Sequence, residues 1–235
     1  MSIQFSLHQK ILHHVICKSY DVISPGLLKG SMGVCITLYC VSERDRSKAV
    51  RTFADRLLNI CIENISIDTS IGFSNGLCGI AWGMDFLLQR NYITGNSKKI
   101  CEDIDRRISQ ICPQRLDCNL EYGFKGLLHY LLAHSYHNSR YSNSFNQDFL
   151  SEVYTLTCKM VTTTYDEDMR YLCKNYIGWY NCETRNYTFS LNRFIKSDWK
   201  EITEENYQSY PIQLASGLCG YLISESNEGG GFYSI

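Results

Sequence analysis

Glu121, His129 and Ser216 are the residue types of a hydroxyl nucleophile with its base and acid. A serine of this kind attacks only when a neighbouring group activates it. His129, His134 and His137 follow one another at spacings of five and three, and His134 and His137 share a helical face. Cys101, Cys112 and Cys118 lie upstream as thiolate donors. Such groups suit zinc, which asks for a closed tetrahedral set, but no spacing here fixes four of them. Glu121 and Asp85 are carboxylates of the sort that glycosidases pair at about 5 to 10 Å across a cleft. Histidines near the end of an apolar helix serve more simply as partners of its C-terminal dipole. No catalytic residue and no metal ligand is therefore assigned from these residues.

The twelve cysteines include no C-x-x-C pair; Cys35 and Cys40, Cys112 and Cys118, and Cys173 and Cys182 are the near neighbours. Zinc ribbons use other spacings. Met1 to Tyr20 carries His8, Lys10, His13, His14 and Lys18 and lacks the continuous apolar stretch of a secretory signal. No apolar run approaches the roughly 18 to 20 residues of a membrane-spanning helix. The expectation is a cytoplasmic protein whose thiols stay reduced and mostly serve as packing residues. The glycosylation sequons at Asn64 and Asn186 carry no information in that compartment. With 23 basic and 24 acidic residues the net charge is -1, which gives no electrostatic ground for nucleic acid or an anionic membrane as partner.

The elements that must position these residues come from a repeat. Gly26-Leu-Leu-Lys-Gly30-Ser-Met-Gly33 and Gly72-Phe-Ser-Asn-Gly76-Leu-Cys-Gly79 share one pattern, and Gln213-Leu-Ala-Ser-Gly217-Leu-Cys-Gly220 nearly repeats it. A partial copy, Tyr122-Gly-Phe-Lys-Gly126, is centred on Gly126 and loses the third glycine. These central glycines stand 46, 50 and 91 residues apart, so one unit is missing or overgrown in the last gap. Apolar runs follow at Val34 to Val41, Ile80 to Leu88 and Leu127 to Ala133. Between them, Ser47 to Ile65, Ile100 to Ile111 and Phe149 to Val161 carry a single apolar stripe, with Ile100, Ile104, Ile108 and Ile111 as one example. Alternation of wholly apolar and one-faced helices predicts an all-α chain of helical hairpins, with inner helices opened by glycines that let a neighbouring backbone approach. A local turn before each helix is the simpler reading of the same glycines.

The glycine openings and the apolar helices behind them, from about Gly26 to Leu222, resemble the lanthionine synthetase C-like family. That resemblance implies a partial α/α toroid, here one domain over 1–235. It also implies addition of a cysteine thiol to a dehydrated Ser or Thr of a ribosomal peptide, with zinc activating the thiol. The family's zinc ligands come from W-C-x-G and C-H-G patterns, and neither occurs here. Its acid/base aspartate, four residues before the third central glycine, falls on Tyr122, and its L-A-H-G histidine falls on Ser216. The chain also stops at Ile235, 15 residues after Gly220, which leaves no length for two more hairpins. A shortened member without cofactor is expected.

That member would bind a peptide substrate or a peptide-modifying enzyme. Lys29, Ser74, Asn75, Lys125 and Ser216, chosen by their position in the openings, would line its face. An irregular aromatic-rich insertion is expected at about 166–210, including Trp199, suited to recognition or to covering an open edge. A flexible tail is expected at about 225–235. Two other functions stay in view. One is an α/α-barrel enzyme of another class, a glycosidase or terpenoid-type cyclase. The other is a structural half-toroid that closes as a homo-oligomer.

Overall fold

In a computed structural model, residues 5–137, 144–183, 187–196 and 202–225 are described, with backbone alone for 136 and 137. The tail after Glu225, Trp199, Asn186 and the side chain of His137 lie outside them. The described residues form nine α-helices and no strand. None of the helices is long and apolar enough to cross a membrane. The chain divides into two compact units. One holds Met1–Asp68 with Ser190–Ile235, the other Thr69–Phe189.

The first unit contains α1 (Leu7–Lys18), α2 (Ser31–Arg44), α3 (Lys48–Glu63) and α9 (Leu218–Glu225). The second contains α4 (Leu77–Gln89), α5 (Ser97–Ile108), α6 (Phe124–His137), α7 (Gln147–Thr163) and α8 (Glu167–Tyr180). Every residue of α2 from Ser31 to Ser42 is buried, as is every residue of α4 from Leu77 to Leu87. Helices apolar all round must be covered on all sides. In the second unit α4 packs on α6 and α6 on α8, while α5 covers α4 and α7 covers α8. In the first, α3 covers α2, and α9 lies against α2 and α1. Seven of the twelve cysteines are buried within these helices.

The two kinds of helix start differently. Side chains cap α1, α3, α5 and α7: Ser6 with a reciprocal Gln9, Ser47, Asn96 and Asn146 accept from the first free N–H groups. The repeat helices use backbone instead. Ser31 donates its N–H to the Ser24 carbonyl, Leu77 to Ser70, Phe124 to Asp117 and Leu218 to Pro211, each seven residues back. The glycine just before each donor lies against that turn. A Cβ on Gly76 or Gly123 would stand 2.1 Å from the Ser70 or Asp117 carbonyl oxygen, and on Gly217 2.2 Å from that of Pro211.

Two corrections follow. The third copy is centred on Gly123, not Gly126, so the true spacings are 46, 47 and 94 residues, and the last is two periods. And the central glycines make room for their own turn rather than for a neighbouring helix. Close approach between elements falls to Gly33 and Gly126, three residues beyond the central glycines of the first and third copies. A Cβ at Gly33 would meet that of Leu214 at 2.9 Å, and one at Gly126 that of Phe73 at 2.6 Å.

The doubled interval contains α7 and α8, so the segment expected to be irregular from 166 begins as a helix. α8 opens on an Asp166 cap, not on a glycine, but it ends as α2 and α4 do. Arg46, Asn91 and Cys182 each adopt positive φ, and the residues after them, Ser47, Tyr92 and Glu183, donate to Ser42, Leu87 and Gly178. Adjacent openings are stitched by one equivalent bond, from Ser74 N–H to the Glu121 carbonyl in one unit and from Ala215 N–H to Leu28 in the other.

Candidate functional site

On α5, Ser97, Cys101 and Asp105 recur every fourth residue and so form one ridge. All three are buried, whereas Ile100 is 36% exposed, so the isoleucine stripe expected on this helix is turned partly to solvent. α6 presents Tyr130 and His134, one turn apart, and α4 presents Asp85. These polar side chains meet in the interior of the second unit, each under one-tenth exposed.

His134 sits between two carboxylates. Its Nδ1 lies 3.1 Å from Asp85 Oδ2, and its Nε2 lies 3.5 Å from Asp105 Oδ2. Ser97 Oγ donates to Asp85 Oδ1 at 2.5 Å and lies 3.3 Å from His134 Nδ1. The Tyr130 hydroxyl donates to Asp105 Oδ1. Phe145 closes the site edge-on to both rings. Burial alone would depress the His134 imidazole, but its hydrogen bond to Asp85 and the two carboxylate charges outweigh it and raise its pKa. Burial lifts the Asp105 carboxyl to about 6, against the pull of His134 and Tyr130. The Cys101 thiol is held well above its ordinary range by burial and by both aspartates. Asp85, Cys101 and His134 each offer one donor atom, all within 4.8 Å of one another. This is a group that could hold a metal ion, so the expectation of no cofactor gains no support from the structure.

A cavity of about 450 Å³ lies in the α4–α5 connection, between Leu88 and Ser97. Ser97 therefore belongs both to the cavity lining and to the buried cluster.

His129 is not part of this cluster. Its Nδ1 lies 3.0 Å from the Tyr187 hydroxyl, among Phe73, Trp82 and Phe189. Cys112 and Cys118 are exposed. Glu121 is half-buried and contributes its backbone carbonyl to the opening of α4. Asp85 is fully buried beside Ser97 and His134 rather than at an open surface. Ser216, exposed in the first unit, shares no unit with His129 and Glu121.

The other assigned residues scatter among environments. Ser74 is fully buried, and its hydroxyl has no hydrogen-bond partner among the described residues. Asn75 donates from Nδ2 to the hydroxyl of Tyr122, which is 54% exposed. Lys125 reaches both Asp166 and Asp168 at 2.9 Å. Lys29 is half-buried in the first unit. Asp105 and Ser97 escaped the sequence reading, although their spacing from Cys101 was the available signal.

Residues 21–224 match the family described as lanthionine synthetase C-like protein. No curated protein and no solved structure matches the chain.

Proposed function

The chain belongs to the lanthionine synthetase C-like family, and from that premise we propose that it binds a ribosomally made peptide, or the enzyme that modifies one, without closing thioether rings itself. The observation that carries this reading is the corrected register. Counted from Gly123, the position where the family resemblance puts an acid/base aspartate is Asn119, and Ser216 stands at the histidine position. Neither side chain exchanges a proton near neutral pH unaided. Asn119 is engaged locally, its Oδ1 accepting the Tyr122 N–H at 2.8 Å.

The family's zinc set, two cysteines and a histidine, does not fit the residues present. The grouping with metal-ligand spacing among the described residues supplies one cysteine, and it comes from α4, α5 and α6. Cys78 and Cys219, next to two of the opening glycines, are sealed thiols raised by burial, Cys219 to about 12.

In the second unit the contacts assigned to the bound peptide are Asn75 and Lys125, with the Tyr122 ring beside Asn75. A fluorescent peptide carrying one dehydroalanine and one cysteine tests this. Saturable binding, weakened at least about tenfold by joint Asn75→Ala and Tyr122→Ala substitution, is expected, with the peptide thiol still free to alkylate afterwards. Loss of that thiol through ring closure, or absence of saturable binding, overturns the reading.

A further inference from the structure

We propose that Asp85, Cys101 and His134 bind a divalent transition-metal ion of the zinc class, at a site distinct from the family's own ligand positions. Three donors of different chemistry, a carboxylate oxygen, a thiolate sulfur and an imidazole nitrogen, come from three successive helices and converge within 4.8 Å. A tetrahedral ion with bonds of about 2.0 to 2.3 Å holds its ligands roughly 3.3 to 3.8 Å apart. The Asp85 and His134 donors stand at 3.1 Å and all three lie within 4.8 Å of one another, so the set draws together by up to about 1 Å to reach that geometry.

The surroundings are those of a held ligand set. His134 turns Nδ1 towards Asp85 and Nε2 towards Asp105. A metal-bound imidazole is ordinarily oriented by a carboxylate on its second nitrogen. Asp105 Oδ2 is buried, has no hydrogen-bond partner among the described residues, and faces Nε2 at 3.5 Å. Tyr130 holds the other Asp105 oxygen, and Ser97 holds the other Asp85 oxygen. Every donor lies on a helix, and all are fully buried, so the set is rigid and shielded from competing water. Ser97 both lines the α4–α5 cavity and holds Asp85, so the cavity adjoins the site. Three protein donors leave the fourth position to a ligand from that side. Binding displaces the thiol proton of Cys101 and one proton of the His134–aspartate group, both released to solvent.

Cobalt(II) titrated into the untagged, chelator-treated full chain tests the site. The expected result is one ion per chain, with the intense near-ultraviolet absorption of a cobalt–thiolate bond and the visible bands of a tetrahedral ion. Zinc should displace it stoichiometrically. Cys101→Ser should abolish the thiolate absorption, Cys78→Ser should leave it, and Asp105→Asn should keep it while weakening affinity about 10- to 100-fold. Absence of the thiolate absorption in the folded wild-type chain overturns the proposal, whatever the variants do. So does absorption that survives in a folded Cys101→Ser chain.

Discussion

Trp82 donates its indole N–H to the hydroxyl of Tyr187, 105 residues further along the chain, at 2.8 Å. The same hydroxyl meets His129 Nδ1, so it ties the segment after α8 to both α4 and α6. Tyr187→Phe keeps the ring and removes these bonds. The loss should be about 1 to 2 kcal/mol, the range for buried hydrogen bonds. Urea unfolding followed by tryptophan fluorescence measures it, and an unmoved midpoint would show that the hydroxyl holds nothing in solution.

Gly76→Ala places a methyl against a carbonyl that is fixed by its own hydrogen bond to Leu77, so nothing cheap can move. Destabilisation of about 3 kcal/mol, towards the upper end of overpacking costs, is expected. Gly123→Ala should behave alike. If it proved harmless, the corrected register of the third opening would be wrong.

Asp166 has two tasks, accepting the Met169 N–H as the cap of α8 and binding Lys125, whereas Asp168 does only the second. Asp166→Ala should therefore cost about 1 to 2 kcal/mol, most of it from the cap. Asp168→Ala should stay below about 1 kcal/mol, because its side chain is 45% exposed and the pair is screened. Equal costs, measured by thermal or urea unfolding, would contradict the capping role.

In the first unit Asp45 and Glu225 share His8, with Arg44 between them. Partial burial opposes ionisation of Asp45, but Arg44 and His8 outweigh it and lower its pKa; the His8 hydrogen bond lowers that of Glu225. Depressed carboxylates stabilise the fold above their unfolded pKa, near 4. That contribution fades as pH falls through the lower folded values. Unfolding midpoints measured between about pH 5 and pH 3 should drop less steeply for the Asp45→Asn, Glu225→Gln double variant than for the wild type. An identical slope would mean the cluster is open in solution.

Hairpin order from α2 to α7 was legible because apolar runs and one-faced stripes have helical length and period. α8 was not, since an aspartate cap replaces the glycine that marks the other repeat helices and its many aromatic residues read as irregular chain. The third opening was misplaced because Gly123 and Gly126 are three residues apart, like the second and third glycines of the other copies. Only the Phe124 to Asp117 bond tells them apart. In the buried cluster, Cys101 and His134 were recognisable donors, whereas Asp85 was read as half of a carboxylate pair with Glu121. Asp105 and Ser97 went unseen because the isoleucines of α5 marked its buried face, which Ile104 and Ile108 share with the polar ridge.

The sealed thiols give each unit its own stopwatch. Cys35, Cys40, Cys61 and Cys219 lie in one unit and Cys78, Cys101 and Cys173 in the other, all buried. An alkylating reagent reaches them only while the surrounding helices part, whereas Cys17, Cys112, Cys118 and Cys182 are exposed from the start. Labelling rates, read cysteine by cysteine by mass spectrometry, thus convert the native fluctuations of each unit into a local opening free energy. Two sets of rates would reveal halves that breathe independently, and one common rate a chain that opens as a whole.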